Sequence, residues 1–200
     1  MDQLSAFILF AFVASITPGP TNILVLTHSS RWGVPATFPI IIGACAAAAS
    51  IVLLVGTGMG ETLARHGQVQ RIMSWVGIAW LIWLAWKIFS APAQGIEADR
   101  RDTGPRIGLA GAALLQLVNP KTWMMALAVL TVFAGSDADR VTRILWLSLI
   151  FFAVSIPCMT TWALLGRGAA RWCRSPTQMR RFNQAMGLLL LVSAGLAFAS

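Results

Sequence analysis

Apolar residues in this chain run in blocks long enough to cross a bilayer, which takes about 17–25 residues each. Six blocks are separated by short polar stretches: Leu4–Thr27, Ala36–Met59, Ile72–Phe89, Ile107–Ala134, Ile144–Leu165 and Phe182–Ala199. The polar stretch Ser90–Arg106 holds Pro92, Gly95, Glu97, Asp99, Arg100, Arg101, Asp102 and Pro105, and reads as a central loop. Hydrocarbon offers no water to backbone groups, so each block is expected to be a helix, which satisfies its own. The first block carries no Lys or Arg ahead of it, and Asp2 has the wrong sign for a secretion signal. It is expected to stay as a membrane helix.

Composition narrows the class. Hydrophobic residues make up 57% of the 200 and charged residues 11%, with a mean hydropathy of +0.73. A soluble domain has about 25% charged residues, so there is too little polar surface here to face water. That excludes a cytoplasmic globular enzyme and predicts an all-α polytopic membrane protein. The formal net charge of +8 would suggest nucleic-acid binding in a soluble chain. Its distribution says otherwise.

Counting Lys and Arg on alternate sides of the membrane gives ten against four. One side holds Arg31, Lys87, Arg100, Arg101, Arg106, Arg167, Arg171, Arg174, Arg180 and Arg181; the other holds Arg65, Arg71, Arg140 and Arg143. Cations accumulate on the cytoplasmic side. The odd loops are therefore expected inside and both termini outside, with no role for nucleic acid.

Six spans divide into three plus three at the central loop. A three-span unit ends on the opposite side from its start, so its duplication is inverted, as in many secondary transporters. A single transmembrane domain over 1–200 is expected, with repeat 1 at about 1–90, the loop at about 90–106 and repeat 2 at about 107–200. Matching interruptions mark the repeats: Ile16-Thr17-Pro18-Gly19-Pro20-Thr21-Asn22 in span one, and Leu117-Val118-Asn119-Pro120-Lys121-Thr122, with polar Gln116 beside it, in span four. Pro20 and Pro120 lie 100 positions apart, half the chain.

Proline removes a backbone donor and clashes with the carbonyl four residues earlier, so helices one and four are expected to break at these motifs. Each new half-helix then presents free N–H groups suited to a carboxylate. The carbonyls freed before each break suit an ammonium. A zwitterionic amino acid answers both. The candidate binding residues are Thr17, Pro18, Gly19, Pro20, Thr21, Asn22, Gln116, Asn119, Pro120 and Lys121. Lys121 is the only formally charged side chain well inside a span. Burying it costs at least about 2.5–3.5 kcal/mol, so it should face the interior and pair with a carbonyl, water, Asn22, Asn119 or a substrate carboxylate. Pro157, standing alone in span five, reads as a simple kink.

At these residues the chain resembles the LysE/RhtB family of bacterial amino-acid exporters, whose hallmarks are Pro-Gly-Pro in the first helix and Asn-Pro-Lys in the fourth. Arg31, Gly33, the Gly/Ala-rich stretch Gly43–Ser50 and Arg174-Ser175-Pro176 through Asn183 and Gly187 also look like the family. The resemblance implies an inner-membrane secondary transporter exporting amino acids or close derivatives. It also implies protons or the membrane potential as driving force, often a homodimer, and no cofactor. Some members carry an acid in the second helix, whereas Gly43-Ala44-Cys45-Ala46-Ala47-Ala48 has none. A positive site without a carboxylate favours neutral over basic substrates, with Trp123, Met124, Met125 and Phe12 as apolar lining.

Rival classes find less support. Gly56-Thr57-Gly58-Met59-Gly60 lacks the strand–helix context of a nucleotide loop. Gly56 with Gly60, Gly43 with Ala47, and Gly108 with Ala112 instead have the spacing that lets membrane helices approach closely. An intramembrane thiol-redox protein using Cys45 and Cys158 is the alternative from another class, but neither lies in a Cys-x-x-Cys motif. Export of a different small solute on the same plan is the other. The Asp, Glu, Cys and His positions have no metal-ligand spacing.

Overall fold

The structure is a computed structural model describing residues 3–59, 68, 75, 79, 82–90, 107–135, 139–172 and 175–199. Its elements are α1 (Gln3–Ile16), α2 (Pro20–Leu54), a π-helical turn (Val55–Met59), α3 (Leu109–Leu117), α4 (Pro120–Phe133), α5 (Arg140–Trp172) and α6 (Pro176–Ala199). Residues 82–89 are also helical, and no strand occurs among the described residues. The expected span Ile72–Phe89 is therefore described only in part. The central loop from residue 91 to 106, Arg65, Arg71 and Gly60 lie outside the described residues.

By length and composition alone, two helical stretches, Pro20–Gly58 and Arg140–Ala169, are each apolar enough to cross a membrane, although the first is divided at Gly33. A third is the pair α3 and α4, bent by 66° at the Asn119-Pro120 break. The first expected span is likewise divided, α1 ending at Ile16 and α2 starting at Pro20. Pro157 lies inside α5 without breaking it.

The largest departure from the sequence reading is in α2. A loop was expected between Thr27 and Ala36, but the helical assignment runs through from Pro20 to Leu54. The chain nonetheless folds back, and it does so at one residue, Gly33, with φ 80° and ψ 171°. His28 Nδ1 lies 2.9 Å from Thr37 Oγ1, a span that would be about 13 Å along a straight helix of nine residues. Ile23, Leu24 and Val25 also share a buried cluster with Ile40, Ile41 and Ala44. Only glycine takes that φ without steric cost, and Pro35 suits the first turn of the second arm. A single glycine replaces the expected loop.

The two broken helices run opposite ways past each other. Phe7 and Ala11, ahead of the first break, pack with Ala126 and Val129, beyond the second. Ile23 to Val25, beyond the first break, pack with Ala112 and Leu115, ahead of the second. Close approach depends on missing side chains. A Cβ on Gly43 would fall 2.2 Å from the Leu109 carbonyl oxygen, and one on Gly166 would fall 2.1 Å from that of Leu26. Gly56, whose Cβ would meet Ile144 at 2.5 Å, serves packing as its spacing suggested; nothing stands within 4 Å of Gly108. Large apolar side chains such as Leu9, Phe12, Leu114, Val132, Trp146 and Leu164 face outward. Buried polar groups gather between the two breaks (Ser15, Thr21, Asn22, Gln116, Asn119, Thr122, Ser155) and around the Gly33 corner (Thr27, His28, Ser29, Ser30, Thr37). That is the reverse of a soluble fold and fits a lipid surround.

Candidate functional site

The first break leaves five carbonyls without their helical partners, those of Ala14, Ser15, Ile16, Thr17 and Pro18, Pro18 having no N–H to give Ala14. Pro20 has no N–H to give Ile16, and the extended backbone of Gly19 (φ −166°, ψ 177°) carries the chain out of helical register. Side chains answer all five, the Thr17 hydroxyl donating to the Ala14 oxygen at 3.2 Å. Asn22 Nδ2 donates to the Ser15 oxygen at 2.9 Å, and Trp162 Nε1 to that of Ile16 at 3.0 Å. Lys121 Nζ donates to the Thr17 oxygen at 2.7 Å, to Thr17 Oγ1 at 3.0 Å and, at the outer limit, to the Pro18 oxygen at 3.5 Å. Of the partners expected for Lys121, carbonyl groups are the ones realised. The ammonium sits at the negative end of the α1 dipole.

Across the break, α2 starts with its N–H groups turned the other way. Gly19 offers no side chain to cap its first turn. The lysine stem lies over Gly19, where a Cβ would fall 3.0 Å from Lys121 Cδ and 3.2 Å from Nζ.

The second break is closed by its own neighbours. The Asn119 side chain caps α4 by accepting from the Lys121 backbone N–H at 3.2 Å. Trp123 Nε1 donates to the Leu117 carbonyl at 2.9 Å. Between the breaks runs a buried amide and hydroxyl network. Thr21 Oγ1 accepts from Gln116 Nε2 at 2.8 Å and from Asn119 Nδ2 at 3.2 Å. Gln116 Oε1 accepts from Asn119 Nδ2 at 3.1 Å and from the Thr122 hydroxyl at 2.6 Å.

Two cavities meet at Lys121. The larger, of about 270 Å³, is lined by both proline motifs (Pro18, Gly19, Pro20, Asn119, Pro120), Lys121 and an apolar wall of Phe10, Met124, Met125 and Ala128. The smaller, of about 30 Å³, lies behind it among Ser15, Thr21, Asn22, Cys45, Gln116 and Ser155. That is room for about one water. The larger is below the usual range of about 300–1,000 Å³ for drug-sized ligands, and suits a small metabolite.

All ten residues expected at the site are therefore gathered around the two breaks, although the roles differ. Gln116, Asn119, Thr21 and Asn22 are buried and engaged with one another or with backbone. Thr17, Pro18 and Lys121 border open space. Two apolar expectations are corrected. Phe12 faces outward, and Trp123 turns its indole to the α3 end, so Phe10 takes the place given to them. Trp162, Ser155 and Ser15, with Ser155 Oγ 3.1 Å from Ser15 Oγ, were not anticipated, whereas Thr122 was expected only as a polar neighbour of the second break. Trp162 and Ser155 are 146 and 140 residues from their partners, and no local pattern signals such a pair.

Cys45 and Cys158 are buried free thiols. Among the described residues, no group of three His, Cys, Asp or Glu side chains could hold a metal ion. None of the seven carboxylates of the sequence lies in a predicted span, so the cavity carries one cation and no acid.

Comparison with known proteins places this arrangement. The chain is similar to the cysteine/O-acetylserine efflux protein of Salmonella typhimurium (strain LT2), 29% identical over 192 residues that cover 96% of this chain and 95% of the relative. The same figures hold for the cysteine/O-acetylserine efflux protein of Escherichia coli O157:H7. The homoserine/homoserine lactone efflux protein of Salmonella typhimurium is 29% identical over 198 residues, covering 97% and 95%. No solved structure matches. The family model described as LysE type translocator matches residues 12–200, including both breaks and Lys121, and the chain belongs to that family of integral membrane translocators.

Proposed function

We propose that the protein exports small neutral amino acids or their close derivatives, held between the two helix breaks. One observation carries this: a lone lysine ammonium at the mouth of an amino-acid-sized cavity that both proline motifs line. The uncapped first turn of α2 and Lys121 attract a carboxylate, and the carbonyl end of α1 attracts an ammonium. Without an acid in the cavity, a second cation on the substrate side chain has no partner. The wall of Phe10, Met124 and Met125 accepts a short apolar or weakly polar side chain. The compounds named for the relatives all carry a primary ammonium and an uncharged side chain; cysteine, O-acetylserine and homoserine add a carboxylate, which the lactone lacks.

The opposed course of the broken helices supports two inverted three-helix repeats and six spans. The ten-to-four cation bias supports insertion in the bacterial inner membrane with both termini outside. Protons are the coupling ion this reading carries and a homodimer its assembly, both as the family resemblance implies.

Efflux of labelled cysteine, homoserine, threonine, leucine and lysine from cells or vesicles tests the proposal. Neutral amino acids are expected to leave faster than lysine. Lys121→Ala is expected to slow their efflux by about tenfold or more, a loss of about 1.4 kcal/mol. Normal transport of every candidate by Lys121→Ala, or a preference for lysine, would defeat the reading.

A further inference from the structure

Lys121 does more than mark the cavity, because its ammonium already has a full set of partners. An ammonium has three donors and no acceptor. Here they meet three oxygens from two consecutive residues, Thr17 O, Thr17 Oγ1 and Pro18 O, at 2.7, 3.0 and 3.5 Å. The Thr17 hydroxyl gives its own proton to the Ala14 carbonyl at 3.2 Å, which leaves its oxygen turned to accept. Gly19 clears the path for the lysine stem. Thr17 and Pro18 are exposed, and Pro18 and Lys121 line the larger cavity, so the oxygen cluster lies at the edge of that cavity.

From this geometry we infer that the carbonyl end of α1 is a subsite for a primary ammonium, and that in this state Lys121 occupies it as a tethered stand-in for the substrate's own ammonium. The inference rests on the reading of the two breaks as the substrate site. An incoming amino acid brings both an ammonium and a carboxylate. Its ammonium replaces that of Lys121 on the Thr17 and Pro18 oxygens, and its carboxylate receives the displaced lysine. The charge in the cavity stays at plus one throughout. When the substrate leaves, Lys121 returns to the oxygens, so they are never bare in lipid, where each unpartnered group costs several kcal/mol. Compounds with a blocked nitrogen, such as N-acetyl amino acids, cannot make the exchange.

The test is a ligand-binding measurement that needs no transport. Thermal unfolding of the purified full chain is followed in rising methylammonium chloride, with tetramethylammonium chloride as a control of equal charge but no N–H donors. In Lys121→Ala the three oxygens are vacated, and methylammonium is expected to raise Tm saturably by several degrees, as a ligand that binds only the folded state must. Tetramethylammonium should not do so, and wild type should respond to neither salt because its own lysine fills the subsite. Lys121→Met, which keeps an apolar stem and is probed with ammonium chloride, stands in if the alanine variant does not fold. An equal response in wild type and variant, an equal response to tetramethylammonium, or no response in the folded variant overturns the inference. Its failure is distinct from failure of the proposed function. A protein that exports amino acids but shows no methylammonium effect keeps the function and loses the stand-in. A protein that shows the effect but moves no amino acid does the reverse.

Discussion

The two helix breaks hold similar residues and are closed in opposite ways. At the second, every replacement partner comes from within six positions, Asn119 for the Lys121 N–H and Trp123 for the Leu117 carbonyl. At the first, Asn22 and the Thr17 hydroxyl are local, but Trp162 reaches in from 146 residues away and Lys121 from 104. A locally closed break survives movement of its surroundings. A break closed from elsewhere reports on where those surroundings are. The first break therefore depends on how α1, α4 and α5 are placed, and the second does not.

Removing Lys121 should separate the two breaks most sharply. Lys121→Ala takes away the donors to two carbonyls of the first break, with the tenfold or greater loss of efflux expected above, while the cap of the second break, made by a backbone N–H, persists. Trp162→Phe comes next: it leaves the Ile16 carbonyl unanswered and should cost about 1–3 kcal/mol of stability in denaturant or thermal unfolding. Asn119→Ala, which removes the cap of α4 and two contacts in the network, should cost about 0.5–2 kcal/mol, with Asn119→Ser recovering most of the cap. Trp123→Phe should be the mildest, because the Leu117 carbonyl sits at an exposed position; efflux within twofold of wild type is expected. If Trp123→Phe proved costlier than Trp162→Phe, the contrast between the two breaks would be reversed.

The sequence showed the breaks themselves because proline acts locally. Pro18, Pro20 and Pro120 alter backbone hydrogen bonding wherever they stand, and no tertiary contact can restore the missing N–H. Lys121 was legible for a similar reason, since a lone charge in an apolar run needs an interior partner. Which partner it took was not. The choice among carbonyl, amide and substrate depended on how α1 and α4 cross, and that crossing is set by side chains across the whole chain. The exchange of Phe12 for Phe10 has another cause. Both α1 faces are apolar, so hydrophobicity alone does not fix which turns inward. The corner at Gly33 was hidden because polar residues around it, His28, Ser29, Ser30 and Arg31, resemble a loop. They are instead helical, with Ser29 donating to the Ala163 carbonyl at 2.7 Å and Ser30 to that of Thr27 at 2.8 Å.

That corner has a mechanical consequence. From Gly33 back to Pro20 the chain is one rigid arm of thirteen residues, about 20 Å long, with Gly33 as its pivot and the first break at its tip. A rotation of about 5° at the pivot sweeps the tip through about 2 Å, enough to separate an ammonium from its oxygens. A helix that ended in a floppy loop would dissipate the same motion. With a single residue at the corner and the His28–Thr37 contact across it, a displacement at the corner would reach the first break undamped.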